Sequence, residues 1–314
     1  VKNVPVLTEA DIAKITDLGN EKADTKFKDE AANLAKVVNF KGIEKLTALE
    51  TLSIGEYSTA KANTKVTALD LSQNDSLVKL GATGCTKLAS VKLPASMTYI
   101  DLDETAVSEI DTSAMTNLDT LFVGSTKITS LDVSKNTKLD QLAIYGTNIK
   151  SIDLTANAAL REIYAANCGL ETLDVSNNTE LTFLEVANCH LTSIDVSKNT
   201  ALTCLNVSDT KIEALSVTDN KELETLALAN VKVKELDVTA NTKLKTLDAA
   251  NCGLTKIDVS ANTLLENLDV SGNSLITLDL TGLTALTADK FKADNNKRNI
   301  GTVIDGKYDL KDLA

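Results

Sequence analysis

Five cysteines, one histidine and a column of aspartates are the residues of this chain able to do chemistry. Thiols can bridge, hold zinc or act as nucleophiles when their environment favours the thiolate. Cys85, Cys168, Cys189 and Cys252 share one place relative to the apolar residues around them, and Cys204 stands directly before Leu205. Cys168 and Cys189 lie 21 residues apart. Stacked side chains running in parallel have poor geometry for a disulfide. The four are therefore read as small buried hydrophobes, and Cys204 as the partly exposed, most reactive thiol. His190 follows Cys189 and reads as a solvated turn residue, because no repeat supplies a nucleophile beside it. No glycine-rich phosphate loop, G-x-S-x-G elbow or H-E-x-x-H pair is present. Carboxylates abound, and two of them can run acid–base chemistry. A shallow groove, however, does little to desolvate a carboxylate and tune its pKa. The aspartate column suggests calcium, but the glycine-bearing loop and carbonyl ligands of a calcium site are missing. The expectation is a protein without catalysis, metal or cofactor.

The elements that must position these residues are repeats. Leu131, Ile152, Leu173, Ile194, Leu215, Leu236, Ile257 and Leu278 recur every 21 residues. A second series interleaves at the same step: Leu121, Leu142, Ile163, Leu184, Leu205, Leu226, Leu247 and Leu268. The first half of each repeat reads L-D-V-S-x-N-T-x-L, as at 131–139; the second reads L-x-V-x-x-C/T/N-x-L, as at 184–191. Two apolar positions in alternation make a short strand in either half, with intervening side chains pointing away from the core. Spacings of two and three with many β-branched residues exclude a helix. Asn occupies positions 74, 136, 157, 178, 199, 220, 241 and 262, where its amide can satisfy backbone groups at the bend.

No such coil buries its own apolar face, so the ends need covers. Thr8 before Glu9 and Asp11, with Ile12, Ile15 and Leu18 behind, predicts one capping helix; Phe27, Ala31, Leu34 and Val38 predict a second. Residues 1–39 form this cap, 40–290 the repeats and 291–314 a C-terminal cap, with a last strand near Phe291 and a hairpin turn at Asp305-Gly306. An exposed insertion is expected between Tyr57 and Val66.

The chain has 314 residues, 43% of them hydrophobic and 3% aromatic, and a formal charge of −12. That charge argues against a nucleic-acid or anionic-membrane partner. No apolar run is long enough to span a bilayer. Residues 1–7 lack the basic and apolar parts of a signal peptide.

The repeat resembles that of the bacterial internalin-type surface leucine-rich-repeat proteins, most closely the internalin J class. The signature L-T-x-L-D-V-S-x-N-T-x-L stands here at 191–202, and the likeness covers about residues 40–290. One departure is clear. The internalin J class carries Cys two residues after the strand Leu, where this chain has Ile144, Val186, Val207 and Leu228. No cell-wall anchoring motif closes the chain. The resemblance implies an extracellular or cell-surface adhesion or recognition protein and carries no ligand with it. The fold expected is a right-handed leucine-rich-repeat solenoid, a β-rich α/β horseshoe of about ten coils with short N-terminal capping helices.

Repeats can also be compared with one another. Asp132, Asp153, Asp174, Asp195, Asp237, Asp258 and Asp279 share one outward position in the first half. The second half varies at its outward positions, as a surface tuned to a ligand must. Five of ten Phe and Tyr residues fall there: Tyr99, Phe122, Tyr145, Tyr164 and Phe183. Rings give large contact area at low entropy cost, and Glu162, Glu185, Asp101 and Asp103 are expected on the same exposed surface. The sequence thus predicts a monomeric protein that binds a protein or carbohydrate through these residues, on a sheet expected to be concave. The alternative is a scaffold in which the rings merely brace neighbouring strands.

Overall fold

The computed structural model describes residues 14–18, 36–55 and 62–296. The chain falls into two units, 1–148 and 149–314. Both are built of the same coil. A second-half Leu or Ile points inward and is covered by the coils on either side: Leu121, Leu142, Leu184, Leu205 and Leu226 are fully buried. Each such side chain stabilises by roughly 2 kcal/mol, and only because a neighbouring coil shields it.

In the N-terminal unit the strands are β1 (Asp17–Leu18), β2 (Thr51–Gly55), β3 (Ala68–Asp70), β4 (Lys79–Ala82), β5 (Ser90–Lys92), β6 (Tyr99–Asp101), β7 (Thr120–Phe122) and β8 (Gln141–Ala143). One parallel sheet runs β1-β2-β4-β6-β7-β8, and β3 pairs with β5 in a second. In the C-terminal unit β9 (Glu162–Tyr164), β10 (Phe183–Glu185), β11 (Cys204–Asn206), β12 (Thr225–Ala227), β13 (Thr246–Asp248), β14 (Asn267–Asp269) and β15 (Phe291–Lys292) pair in parallel, in chain order. Register steps by 21 residues, so that Leu184 sits beside Ile163 and Leu205.

The two halves of the repeat differ more than their sequences suggest. Only the second halves pair as strands throughout. Among the described first halves, pairing occurs at β3 and β5 alone. Paired or not, the first-half Asp side chain accepts the amide N–H two residues on: Asp70 of β3 from Ser72 at 3.2 Å, and Asp174 from Ser176 and Asp195 from Ser197, both at 2.9 Å. The first-half Leu is also less well covered: Leu215 and Leu236 keep 8% of their surface, against none at Leu205 and Leu226.

The bends are held by two ladders. In the first, each Asn amide donates to two carbonyls of the preceding coil; Asn199 reaches Val175 O at 2.9 Å and Asn178 O at 2.8 Å. All eight are fully buried. In the second, Cys189 and Cys252 donate Sγ–H to carbonyls 24 residues back, while Thr105, Thr126, Thr147 and Thr210 cap their own coil three residues back. The residue just before this ladder adopts a left-handed conformation in coil after coil. Asn167, Asn188, Asn230 and Asn251 tolerate it; Glu104 at φ +57° and Ser125 at φ +53° hold it against preference.

The described residues contain no α-helix, only 3₁₀ turns at Ile43–Lys45 and Ala288–Lys290. The two expected capping helices fall largely outside the described residues. Where they overlap, the expectation is corrected. Leu18 lies in β1 beside Leu52, because its backbone completes the edge of the sheet. Val38, expected on a packed face, is 64% exposed. The insertion after Tyr57 ends earlier than expected: Asn63 and Val66 are buried, with Asn63 Nδ2 donating to Val37 O. The Phe291 strand is present as β15, and the hairpin at Asp305-Gly306 lies outside the described residues. No helix among the described residues is long and apolar enough to cross a membrane.

Candidate functional site

The outward positions of the paired strands are the variable ones, and each unit carries rings on them. In the N-terminal unit Tyr99 and Phe122 meet edge to face with centroids 6.0 Å apart. In the C-terminal unit Tyr164 and Phe183 tilt together at 4.7 Å and 34°. All five predicted rings are half-buried, not fully exposed as the alternation implied. For the four rings on strands the reason is local: an outward ring on a strand about 4.8 Å from its neighbour leans on that neighbour.

The N-terminal cluster is built around two buried carboxylates. Asp101 and Asp103, expected at the surface, keep only 9% and 2% of theirs. Thr83 donates its hydroxyl to Asp101, whose other oxygen accepts the Asp103 N–H. Asp103 accepts from the Gly124 N–H, and its second oxygen accepts the Tyr145 hydroxyl at 2.8 Å. Burial pushes the Asp103 carboxyl up to about 7, with the Asp101 and Glu104 charges adding to the shift against the two hydrogen bonds. Asp101 is raised for the same reason. Burial, then the charges of Asp101 and Asp103, lift the Tyr99 hydroxyl to about 12.

Tyr145 reaches Asp103 by crossing a whole coil. Its ring lies over Gly124, where any Cβ would overlap it. Asp103, Gly124 and Tyr145 hold the same place in three successive coils, where the C-terminal unit has Ala166, Ala187, Ser208, Ala229, Ala250 and Ser271. Acceptor, gap and donor in one column is a pattern the sequence contains, legible only once the column is known to lie along a surface.

The C-terminal cluster is open. Glu162 stands in register with Phe183, and Tyr164 with Glu185, so acid and ring alternate. The Tyr164 hydroxyl donates to Glu162 at 2.6 Å, and Asn206 donates to Glu185 at 3.3 Å. Burial first, then the Glu162 bond and charge, raise the Tyr164 hydroxyl to about 12. Beside them Cys204 is half-buried, its thiol raised by burial and by Glu185, which suppresses the thiolate that reactivity requires. Cys85, Cys168, Cys189 and Cys252 are buried free thiols of the ladder. His190 is exposed and donates its backbone N–H to Leu170 O.

The opposite half of the C-terminal coils carries an open groove of about 520 Å³, floored by Leu215, Leu236 and Ile257 and edged by Asp237, Asp258 and Lys256. Sequence reasoning missed it. Its one signal is Ser216, which breaks the aspartate column. The column itself is occupied with its own turns: hydrogen bonds from the hydroxyl and N–H two residues on hold Asp153, Asp237, Asp258 and Asp279 below the usual carboxylate range. Among the described residues no three His, Cys, Asp or Glu side chains cluster as metal ligands would.

The family described as Leucine Rich repeat matches residues 187–203. No curated protein matches the chain. Among solved structures, the functional domain of InlJ from Listeria monocytogenes, which includes a cysteine ladder, aligns at 28% identity with a TM-score of 0.72, over 94% of this chain. The alignment covers 66% of that domain, so the chain spans slightly less than two thirds of it. The internalin InlF of Listeria monocytogenes aligns at 20% identity and TM-score 0.62, over 93% of this chain and 89% of that one. A leucine-rich-repeat protein of Leptospira interrogans aligns at 15% identity and TM-score 0.51, over 88% and 96%; at these identities the last two show the fold alone. Repeat and fold agree: the chain is a leucine-rich-repeat protein similar in structure to the internalins, with its cysteines at a ladder position of its own.

Proposed function

We propose that this is a non-enzymatic recognition protein of a bacterial cell surface or its surroundings, and that it binds a protein partner through the outward positions of its second-half strands. One contrast carries the reading. The first-half side repeats a single Asp turn whose hydrogen bonds are made within three residues. The second-half side changes from coil to coil and presents paired rings beside carboxylates. A surface that varies while its scaffold does not is where selection for a partner can act. Half-buried rings held by a rigid sheet are pre-organised anchors, with little entropy left to lose. Tyr99, Phe122, Tyr164, Phe183, Glu162 and Glu185 are the contact residues of this reading.

Tyr145 supports a second, structural role for part of the surface. Its hydroxyl is tied to Asp103 and its ring seated on Gly124, so in the free protein it braces three coils. The test is binding of the purified chain to arrays of extracellular proteins and of glycans. A protein ligand lost by at least about tenfold on Phe183→Ala or Phe122→Ala, with folding intact by circular dichroism, supports the reading. A ligand that survives both changes places binding elsewhere, and one found only among glycans replaces the partner class.

A further inference from the structure

Resting on that reading, we infer that the open sheet face of the C-terminal unit takes an extended basic segment of the partner, one arginine or lysine lying on the Tyr164–Phe183 pair beside Glu185, and a second basic residue meeting Asp248. The argument begins with charge. From β9 to β14 the outward strand positions hold Glu162, Glu185, Asp248 and Asp269, and neither Lys nor Arg. Lys292 on β15 pairs with Asp269 at 3.2 Å. No ion pair among the described residues engages Glu185 or Asp248. Burial raises the Asp248 carboxyl, and the Asp269 charge adds to this against the Ala250 N–H bond and the Lys292 charge. A positive partner supplies what the protein's own side chains leave out.

The rings then select the kind of cation. A guanidinium or ammonium group is drawn to the faces of aromatic rings, and here each ring has a carboxylate in register beside it. A flat guanidinium satisfies both, stacking on a ring while donating to carboxylate oxygens. Room is available: the adjoining column holds only Ala166, Ala187, Ser208, Ala229, Ala250 and Ser271, so a partner backbone can approach closely. The spacing fixes the register of the segment. Glu185 on β10 and Asp248 on β13 are three strand steps apart, about 14 Å at about 4.8 Å per step. An extended chain covers that distance in about four residues at about 3.4 Å each. The fitting segment therefore carries basic residues at positions i and i+4 and crosses the strands.

The experiment is fluorescence anisotropy of the full chain with three labelled peptides in a Ser/Thr/Val background. One has Arg at i and i+4, one Arg at i and i+2, and one Gln in place of both Arg. The first is expected to bind at least about tenfold more tightly than the third and severalfold more tightly than the second, and to weaken steeply between about 0.05 M and about 0.3 M salt. Phe183→Ala and Glu185→Gln, each confirmed folded, are expected to weaken it at least about fivefold, while Tyr145→Phe in the other unit leaves it unchanged. Equal binding of the Arg and Gln peptides, indifference to Phe183→Ala and Glu185→Gln, or no binding at about 1 mM overturns the inference. Should the array ligand still depend on Phe183 in that case, the recognition reading stands and only its cationic chemistry falls. Should the Arg peptide bind as expected while no array ligand depends on the face, the cation site stands and the partner reading falls.

Discussion

The two aromatic clusters sit at equivalent outward positions of the same coil and are organised in opposite ways. In the N-terminal unit Tyr145 lies across Gly124 and is tied to the buried Asp103, so ring and acid are used to hold three coils together. In the C-terminal unit no large side chain follows Tyr164 and Phe183 in the neighbouring column, and the rings stay open beside Glu162 and Glu185. The lesson is that one scaffold position serves packing or recognition according to what its neighbours 21 residues away leave empty.

The difference is broken most strongly through pH. Unfolded, Asp103 titrates near 3.8; folded, near 7. Between these values the folded state holds the extra proton, so the stabilisation is complete below about pH 4 and is lost as pH rises through 7. Urea unfolding of the N-terminal unit, followed by hydrogen exchange across 99–147, is expected to show a loss on the order of 2–4 kcal/mol between pH 5 and pH 8. Asp103→Asn is expected to flatten that dependence; an unchanged slope would show that general charge repulsion causes it.

Gly124→Ala comes next. Its Cβ meets the Tyr145 ring, and overpacking of this kind costs roughly 1–3 kcal/mol. The opposite change in the other unit, Ala187→Gly, has no ring above it and is expected to cost at most about 1 kcal/mol, from backbone entropy alone. Chemical denaturation of both variants checks the pair. Equal costs would mean that Tyr145 does not occupy the seat.

Removing single hydroxyls sharpens the contrast further. Tyr145→Phe leaves a buried carboxylate short of a donor and is expected to cost roughly 1.5 kcal/mol at pH 8. Tyr164→Phe loses a bond to a half-exposed Glu162 and is expected to cost less than about 0.5 kcal/mol. The smallest effect is a gain. Ser125→Gly relieves a left-handed serine beside the closed cluster and is expected to stabilise by about 0.5–1 kcal/mol, read as a rise in melting temperature.

What could be read in advance follows the range of the interaction. The Asp turns are made within three residues, and so Asp132, Asp174 and Asp195 were legible from their spacing to Ser. The Asn ladder was legible because every coil repeats it. The capping helices were misjudged at Leu18 and Val38, since short amphipathic runs do not say whether a sheet edge will claim the backbone. The burial of Asp101 and Asp103 was missed because alternation assigns a side chain to a face and says nothing of what closes over it.

The sequence by itself determined the coil: its 21-residue step, its inward leucines and its Asn bends, because each is a local pattern repeated until only one packing satisfies all copies. Tertiary structure alone decided that the described first halves stay unpaired outside β3 and β5, and that one cluster closes while the other stays open. Those outcomes depend on contacts such as Tyr145 to Asp103, 42 residues apart, which exist only after the coils have stacked.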